Sequence, residues 1–155
     1  MDNANSLSTP MTGGEKLCTY DSDPIVDPMQ YRSIVRALQY AMITRSEIAY
    51  VVNKVSQYMY NPLESHLKVV KKILRYLKGT FDYGLLLKPY PALTLTGFCD
   101  ADWASDLDDR RSTSSFCIYL GSNVISLSSK KQKIVSRSST EAEYRSLANA
   151  TTEVV

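Results

Sequence analysis

Histidine and cysteine, the residues that build most zinc sites and disulfide frameworks, are scarce in this sequence. His66 is the only histidine among 155 residues, and we interpret it as a surface residue near a helix start. The three cysteines, Cys18, Cys99 and Cys117, are odd in number and lack the paired spacing of metal sites. The sequence therefore excludes a disulfide scaffold and predicts a reducing compartment. A phosphate-binding Walker loop, a dinucleotide fingerprint and a zinc-protease motif are also missing.

Long apolar runs and a strong net charge are missing too. No apolar run approaches the roughly 18 residues that a membrane span needs, and the N-terminus lacks the basic and apolar regions of a secretion signal. The net charge is +2, which is too small to mark a nucleic-acid-binding protein by itself. Since 44% of the residues are hydrophobic, the chain can bury a core of about one domain. We expect no membrane partner and a cytoplasmic or nuclear location.

Helical periodicity predicts a three-helix segment over residues 30–80. Apolar residues recur at i, i+3, i+4 and i+7, as on the buried face of a helix. The predicted buried faces are Tyr31, Ile34, Val35 and Leu38, then Ile48, Val51, Val52, Val55 and Met59, then Leu67, Val70, Leu74 and Leu77. Residues 1–29 are rich in proline, glycine and small polar residues, which predicts a flexible lead-in.

From residue 83 the pattern changes to that of strands. The stretch "LTLTGFC" alternates with period two, and "SFCIYL" and "NVISL" flank a "GS" turn, which predicts a β-hairpin. A helix follows from "SRSSTEAEY" to the end of the sequence, with a predicted inner face of Tyr144, Leu147, Ala148 and Thr151. The fold class is therefore α+β, with an N-terminal helical segment followed by three antiparallel strands and a helix.

A stripe of basic residues follows the third helix. Its members lie at helical spacing, roughly opposite the predicted apolar face, and no acidic residue interrupts them: Lys68, Lys71, Lys72, Arg75 and Lys78. Two interpretations have about equal weight. The stripe is either an ordinary solvated helix face or a surface that contacts successive phosphates of a nucleic acid.

An acidic cluster follows the first strand. The stretch "GFCDADWASDLDDRR", residues 97–111, holds five carboxylates and the single tryptophan, Trp103, which we interpret as a packing residue. Asp100 follows an apolar strand directly and is the candidate ligand for Mg²⁺, an ion that prefers a few carboxylates together with water. The other carboxylates of the loop are interpreted as a solvated turn: Asp106, Asp108 and Asp109.

The last helix offers a second candidate ligand. "SSTEAEY" contains two overlapping capping boxes, Ser138 with Glu141 and Thr140 with Glu143. Only one box can be used, so the other glutamate is left to reach outward. Periodicity does not decide which glutamate that is.

Several spaced motifs together resemble the copia-type LTR retrotransposon Pol polyproteins. They occur in the family's order: "YRSIVRALQY", "VNKVSQYM", "VVKKILRYLKGT", "DADWASDLDDRRSTS", "ISLSSKKQ" and "SRSSTEAEYRSLA". The resemblance covers about residues 28–155 and corresponds to the junction between the reverse transcriptase and the ribonuclease H domain. Residues 30–80 then resemble the C-terminal tail of the reverse transcriptase, and residues 83–155 the N-terminal half of a ribonuclease H-like fold. The chain departs from the family's usual residues at Arg36, Ser46–Glu47, Ser115 and Leu127.

The resemblance implies an activity and its residues. Ribonuclease H hydrolyses the RNA strand of an RNA–DNA hybrid with two Mg²⁺ ions held by acidic residues. The matching motifs place two of those ligands at Asp100 and Glu143, and leave Glu141 as the capping residue. The basic residues of "RRSTS" and "SSKKQ" are expected near substrate phosphates.

The family places its next acidic ligand in a later "DN" strand, beyond Val155. We therefore expect an incomplete two-ion site, no useful hydrolysis by this chain alone, and self-association through an exposed edge of the first strand. Two alternatives stay open. One is a non-catalytic nucleic-acid-binding remnant, and the other is a relic open reading frame that does not fold stably.

Overall fold

The computed structural model describes residues 4–11 and 16–155. The chain divides into two compact units, Met1–Gly84 and Leu85–Val155. Within the described residues there are four α-helices and one three-stranded antiparallel sheet, so the predicted mixture of helix and sheet is confirmed. None of the helices in these residues is long and apolar enough to cross a membrane. Residues 1–3 and 12–15 of the predicted flexible lead-in lie outside the described residues.

The first unit contains three helices: α1 (Pro28–Ala41), α2 (Ala49–Ser56) and α3 (Glu64–Gly79). Helix α1 has a well-formed start, because the Asp27 carboxylate accepts hydrogen bonds from the amides of Met29 and Gln30, and Pro28 occupies the first turn. A short 3₁₀ turn over Ser46–Ile48 leads into α2.

The buried faces of α1 and α2 largely agree with the prediction, whereas that of α3 is rotated. The buried residues of α3 are His66, Val69, Val70, Ile73 and Tyr76. The predicted residues Leu67, Leu74 and Leu77 are only partly buried and flank this face. The apolar stripe of α3 is broad, and periodicity alone does not identify its centre.

His66 contradicts the expectation of a surface residue, since its side chain is fully buried. Its Nδ1 accepts a hydrogen bond of 3.0 Å from the Leu63 amide, so in the neutral ring the proton is on Nε2, which lies 3.1 Å from the Cys18 carbonyl oxygen. The ring also stacks on Tyr58 with 3.9 Å between centroids. His66 thus helps to cap the start of α3.

The described part of the lead-in packs against the helices. Leu17 and Ile25 are buried in the core of the first unit, and the Tyr58 hydroxyl donates a hydrogen bond of 2.9 Å to the Leu17 carbonyl. The sequence interpretation missed this role because isolated apolar residues among prolines and small polar residues show no periodicity.

The second unit contains the sheet and the last helix. Its strands are β1 (Leu95–Asp102), β2 (Thr113–Leu120) and β3 (Asn123–Lys131), in the order β1-β2-β3, and α4 spans Ser139–Val154. The hairpin between β2 and β3 turns at Gly121, whose φ of +62° favours glycine. Among the described residues, β1 is an edge strand.

The inner face of α4 differs from the prediction. Ala142, Ser146 and Ala150 are buried, while Tyr144 and Leu147 are 69% and 50% exposed. Small residues at i, i+4 and i+8 let the helix lie close to β1 and β2. The prediction of Tyr144 and Leu147 as inner residues was wrong because it weighted size and apolarity, whereas close packing here requires small side chains.

Candidate metal site and nucleic-acid surface

Asp100 lies on β1 and is held at the level of α4 through its main chain. The Ser146 hydroxyl donates hydrogen bonds to the main-chain oxygens of Asp100 at 2.7 Å and of Ser115, its partner on β2, at 3.2 Å. Ser146 is fully buried, whereas Asp100 is exposed. The helix and the strand therefore have a fixed relative position at this residue.

Glu143 stays available because the other glutamate caps the helix. The Ser138 hydroxyl accepts a hydrogen bond of 3.1 Å from the Glu141 amide, and the Glu141 carboxylate accepts bonds from Arg145 and from the Arg137 amide, each at 2.7 Å. The Arg145 bond, followed by the Arg137 amide bond, lowers the pKa of Glu141. The cap thus uses the box that the resemblance implied, and Glu143 is exposed.

The two carboxylates lie at the outer edge of β1. Arg145 lines a groove on the β3 side of α4, and residues two apart on a helix point about 200° apart, so Glu143 points towards the β1 side. On β2, Ser114 and Phe116 face that groove, so Ser115 between them faces the other way. Asp100 is the cross-strand partner of Ser115 and shares its face, so it points away from α4. Glu143 and Asp100 therefore flank the same edge from opposite sides.

The donor chemistry of this edge fits Mg²⁺. Both side chains are exposed carboxylates, the kind of ligand that this ion prefers, although they lie on opposite sides of the strand edge. Within residues 4–11 and 16–155, no group of three or more His, Cys, Asp or Glu side chains is arranged to hold a metal ion.

The acidic loop after β1 is only partly the solvated turn that was predicted. Asp106 is buried, with Oδ2 lying 2.8 Å from Lys131 Nζ and Oδ1 accepting bonds from the amides of Asp108 and Asp109. Burial opposes its ionisation, but the bonds from Lys131 and from these amides outweigh burial and lower the pKa of Asp106. Asp109 also pairs with Lys131 at 2.9 Å, while Asp108 is exposed. The solvated interpretation was therefore wrong for Asp106.

A buried polar network that the sequence interpretation missed joins the hairpin to the start of α4. Gln132 Nε2 donates to Ser114 Oγ at 2.9 Å and to the Ala142 carbonyl at 3.0 Å, and its Oε1 accepts from Ser136 at 2.7 Å. The Trp103 indole donates to the Ser136 carbonyl at 3.1 Å. The sequence interpretation considered only the lysines of the "SSKKQ" stretch, as residues near substrate phosphates. The structure shows that its glutamine, Gln132, fixes the helix that carries Glu143.

The basic stripe of α3 lies opposite the buried face of that helix. Lys68, Lys71 and Lys78 are exposed, and Lys72 and Arg75 are half-buried. Residues 4–7 run beside its C-terminal end, where Arg75 Nε donates to the Asn5 carbonyl at 2.6 Å and Lys78 Nζ to the Ala4 carbonyl at 3.2 Å. These bonds orient two of the cations.

The chain was compared with protein-family models, with curated proteins and with solved structures. The retrovirus-related Pol polyprotein from transposon RE1 of Arabidopsis thaliana is 51% identical over 99% of this chain, and that from transposon RE2 is 49% identical over 97%. The chain spans about 10% of the length of each. The secreted RxLR effector protein 161 of Plasmopara viticola is 43% identical over 81% of this chain and 89% of its own length. No protein-family model and no solved structure matches.

Proposed function

Because the chain belongs to the retrovirus-related Pol polyproteins of copia-type transposons, we propose that its second unit is the first part of a ribonuclease H-like domain. The first unit is then the helical tail of the reverse transcriptase. In the complete polyprotein, the domain would hydrolyse the RNA strand of an RNA–DNA hybrid.

One observation carries the proposal. The Ser146 hydroxyl binds the main-chain oxygen of Asp100 at 2.7 Å, and Glu143 lies one helical turn before Ser146. The two residues that match the family's acidic motifs, though 43 positions apart, thus reach the same edge of one sheet.

Asp100 and Glu143 would hold Mg²⁺, which when bound in pairs activates water and stabilises the leaving oxygen of the cleaved strand. The roles of the chain's own residues are positional. Gln132 and Ser146 fix α4 on the sheet, and the Ser138 cap with Glu141 fixes its first turn, so that Glu143 has a defined direction.

In the first unit, the basic stripe of α3 would contact the phosphates of a nucleic acid. Lys68 and Lys71 are exposed, and Arg75 and Lys78 are oriented by carbonyls of the lead-in. Each phosphate that a cation neutralises releases counterions, so this binding weakens with salt.

Metal binding is tested by Mn²⁺ broadening of NMR signals of the 155-residue chain. We expect signals of β1 near Asp100 and of the first turns of α4 to broaden, and the effect to be lost in Asp100→Asn and Glu143→Gln. Glu153→Gln, on the same helix, is the matched control and should leave it unchanged. Broadening that persists in Asp100→Asn and Glu143→Gln would contradict the assignment of these two residues as ligands.

Hydrolysis is tested with a labelled RNA–DNA hybrid in millimolar Mg²⁺. Two-ion hydrolysis needs both ions fixed together, and the family motifs matched here supply two carboxylates. We therefore propose that this chain alone binds the hybrid but cleaves it no faster than Asp100→Asn does. Cleavage that disappears in Asp100→Asn would show that another residue completes the site.

The non-catalytic binding alternative is favoured by the exposed cations of α3. Binding of hybrid that is lost in Lys68→Gln/Lys71→Gln, without any Mn²⁺ effect at Asp100, would support it. A broad, non-cooperative thermal transition would instead support the relic that does not fold stably.

A further inference from the structure

A groove of about 580 Å³ runs between α4 and β3 in the second unit. It exists because α4 packs mainly on β1 and β2, which leaves the β3 side of the same sheet face open. Its volume lies within the roughly 300–1,000 Å³ typical of small-molecule sites. Neither the Mg²⁺ site nor the basic stripe of α3 includes this groove.

One end of the groove is cationic. Lys130, Lys133 and Arg145 all line it. The side-chain amino groups of Lys130 and Lys133 make no hydrogen bond or ion pair within the part of the chain that the structure describes. Arg145 is held by two bonds to Glu141, at 2.7 and 3.2 Å, so its guanidinium group has a fixed direction. Arg145 is thus itself paired with a carboxylate through Nε and one terminal nitrogen, and its other terminal nitrogen is left for a ligand. Lys131 is paired with two carboxylates, Asp106 and Asp109.

The middle and the far end have a different chemistry. Phe116 and Ala148 form an apolar middle with Ser128 beside Phe116, and Ser114 lies level with Lys130 at the cationic end. Glu153 lies at the far end, where it accepts a hydrogen bond of 3.0 Å from Ser126. The eight steps from Arg145 to Glu153 rise about 12 Å along the helix, and the four steps from Ser126 to Lys130 span about 13 Å of strand. The two walls of the groove therefore have about the same length.

We infer that this groove binds a nucleoside 5′-phosphate. The phosphate is bound by Lys130, Lys133 and Arg145, since clustered cations form charge-assisted bonds with its oxygens. The flat base lies against Phe116 and Ala148, and its polar edge faces Asn149 and Glu153. A fatty acid fits less well, because Ser128 lies beside the apolar middle and the Glu153 carboxylate lies at its far end. Free nucleotides and the 5′-phosphorylated end of a strand share this chemistry.

The cationic end is tested by calorimetric titration with adenosine 5′-monophosphate. We expect saturable binding at one site per chain, and an affinity at least about tenfold lower in Lys130→Gln/Lys133→Gln, as charge-assisted bonds predict. Lys16→Gln/Arg36→Gln removes the same charge from exposed positions of the first unit outside the basic stripe, and should change the affinity less than twofold. Equal losses in both variants, or no saturable binding, would overturn the inference.

The apolar middle is tested by Ala148→Tyr, which fills the groove with an exposed helix residue. We expect this variant to lose binding of adenosine 5′-monophosphate and to retain the weaker binding of inorganic phosphate. Equal affinities of the wild-type chain for the two ligands would overturn the inference, since the base would then contribute nothing. Trp103 fluorescence checks that every variant is folded. Competition by a 5′-phosphorylated dinucleotide would assign the ligand to strand ends, and its absence would assign it to free nucleotides.

Discussion

The hydroxyl of Ser146 donates a hydrogen bond of 2.7 Å to the main-chain oxygen of Asp100, across 46 positions of the sequence. The same hydroxyl lies 3.2 Å from the Ser115 carbonyl, so one buried side chain joins α4 to two strands. An apolar residue at this position could only pack α4 against the sheet. The serine also sets the position of α4 along the strands, because its hydroxyl bonds particular main-chain oxygens. The positions of both candidate metal ligands depend on this bond.

Replacing Ser146 with alanine is expected to destabilise the second unit by about 1–3 kcal/mol, the cost of losing a buried hydrogen bond. The methyl group of alanine fits the space, so the loss is of the bond rather than of packing. Trp103 is the only tryptophan and lies in the second unit, so its fluorescence during urea unfolding reports on that unit. Thr152→Ala, at an exposed position of α4, is the control and should change stability by less than about 0.5 kcal/mol. Equal effects of the two substitutions would contradict the role given to Ser146.

The rotated face of α3 gives a paired prediction at neighbouring residues. Ile73 is fully buried and Leu74 only partly, although the sequence pattern had favoured Leu74. Ile73→Ala should destabilise the first unit by about 2–5 kcal/mol, as cavity-forming substitutions do, and Leu74→Ala should cost clearly less. Thermal unfolding followed by circular dichroism at helical wavelengths measures both. A larger loss for Leu74→Ala would show that the helix packs through the predicted face instead.

The sequence predicted the elements of this fold better than their orientation. Signals such as the alternation in β1 and the turn at Gly121 act within a few residues, and the structure agrees with them. The centre of the buried face in α3 and the inner face of α4 depend instead on which neighbour covers the helix. Local periodicity does not contain that information.

The candidate site shows the same difference between local signals, which the sequence contains, and long-range contacts, which it does not. Asp100 and Glu143 stay predictions that rest on motifs, whereas the structure agrees with the capping box that the resemblance implied. Gln132 and His66 were missed because each acts through long-range bonds to main-chain groups, on Ala142 and Cys18 respectively. Asp106 was misjudged since its partner, Lys131, is 25 positions away. Only the folded hairpin brings that pair together.

The Asp106–Lys131 pair predicts how stability depends on pH. The pKa of Asp106 is lowered in the folded chain, although burial opposes this, because Lys131 and two amides donate hydrogen bonds to the carboxylate. The stability it contributes is therefore present above its unfolded-state pKa, about 3.9, and is lost as the pH falls through the lower folded-state value.

Asp106→Asn keeps an oxygen for the two amides and removes the charge. It should destabilise the second unit by about 1.5–3 kcal/mol at neutral pH, as loss of a charged hydrogen bond does. The difference from the wild-type chain should shrink as the pH drops below about 4. Urea titrations followed by Trp103 fluorescence at several pH values measure it. A difference that is the same at pH 7 and in acid would show that ionisation of Asp106 is not the cause.

Phe98 gives the last prediction, which concerns self-association through β1. In the described residues this strand is at the edge of the sheet, and Phe98 is 63% exposed there. An edge strand with unpaired main-chain groups and an exposed aromatic residue recruits a second chain, so sedimentation should show dimers or larger species as concentration rises. Phe98→Lys should shift the chain towards monomer, because charged residues on edge strands disfavour pairing. Leu127→Lys, on the same sheet face but on β3, removes a partly exposed apolar residue away from that edge and should have the smaller effect. Equal dissociation of the two lysine variants would show that the exposed sheet face, rather than the β1 edge, mediates the association. A wild-type chain that stays monomeric at high concentration would contradict self-association altogether.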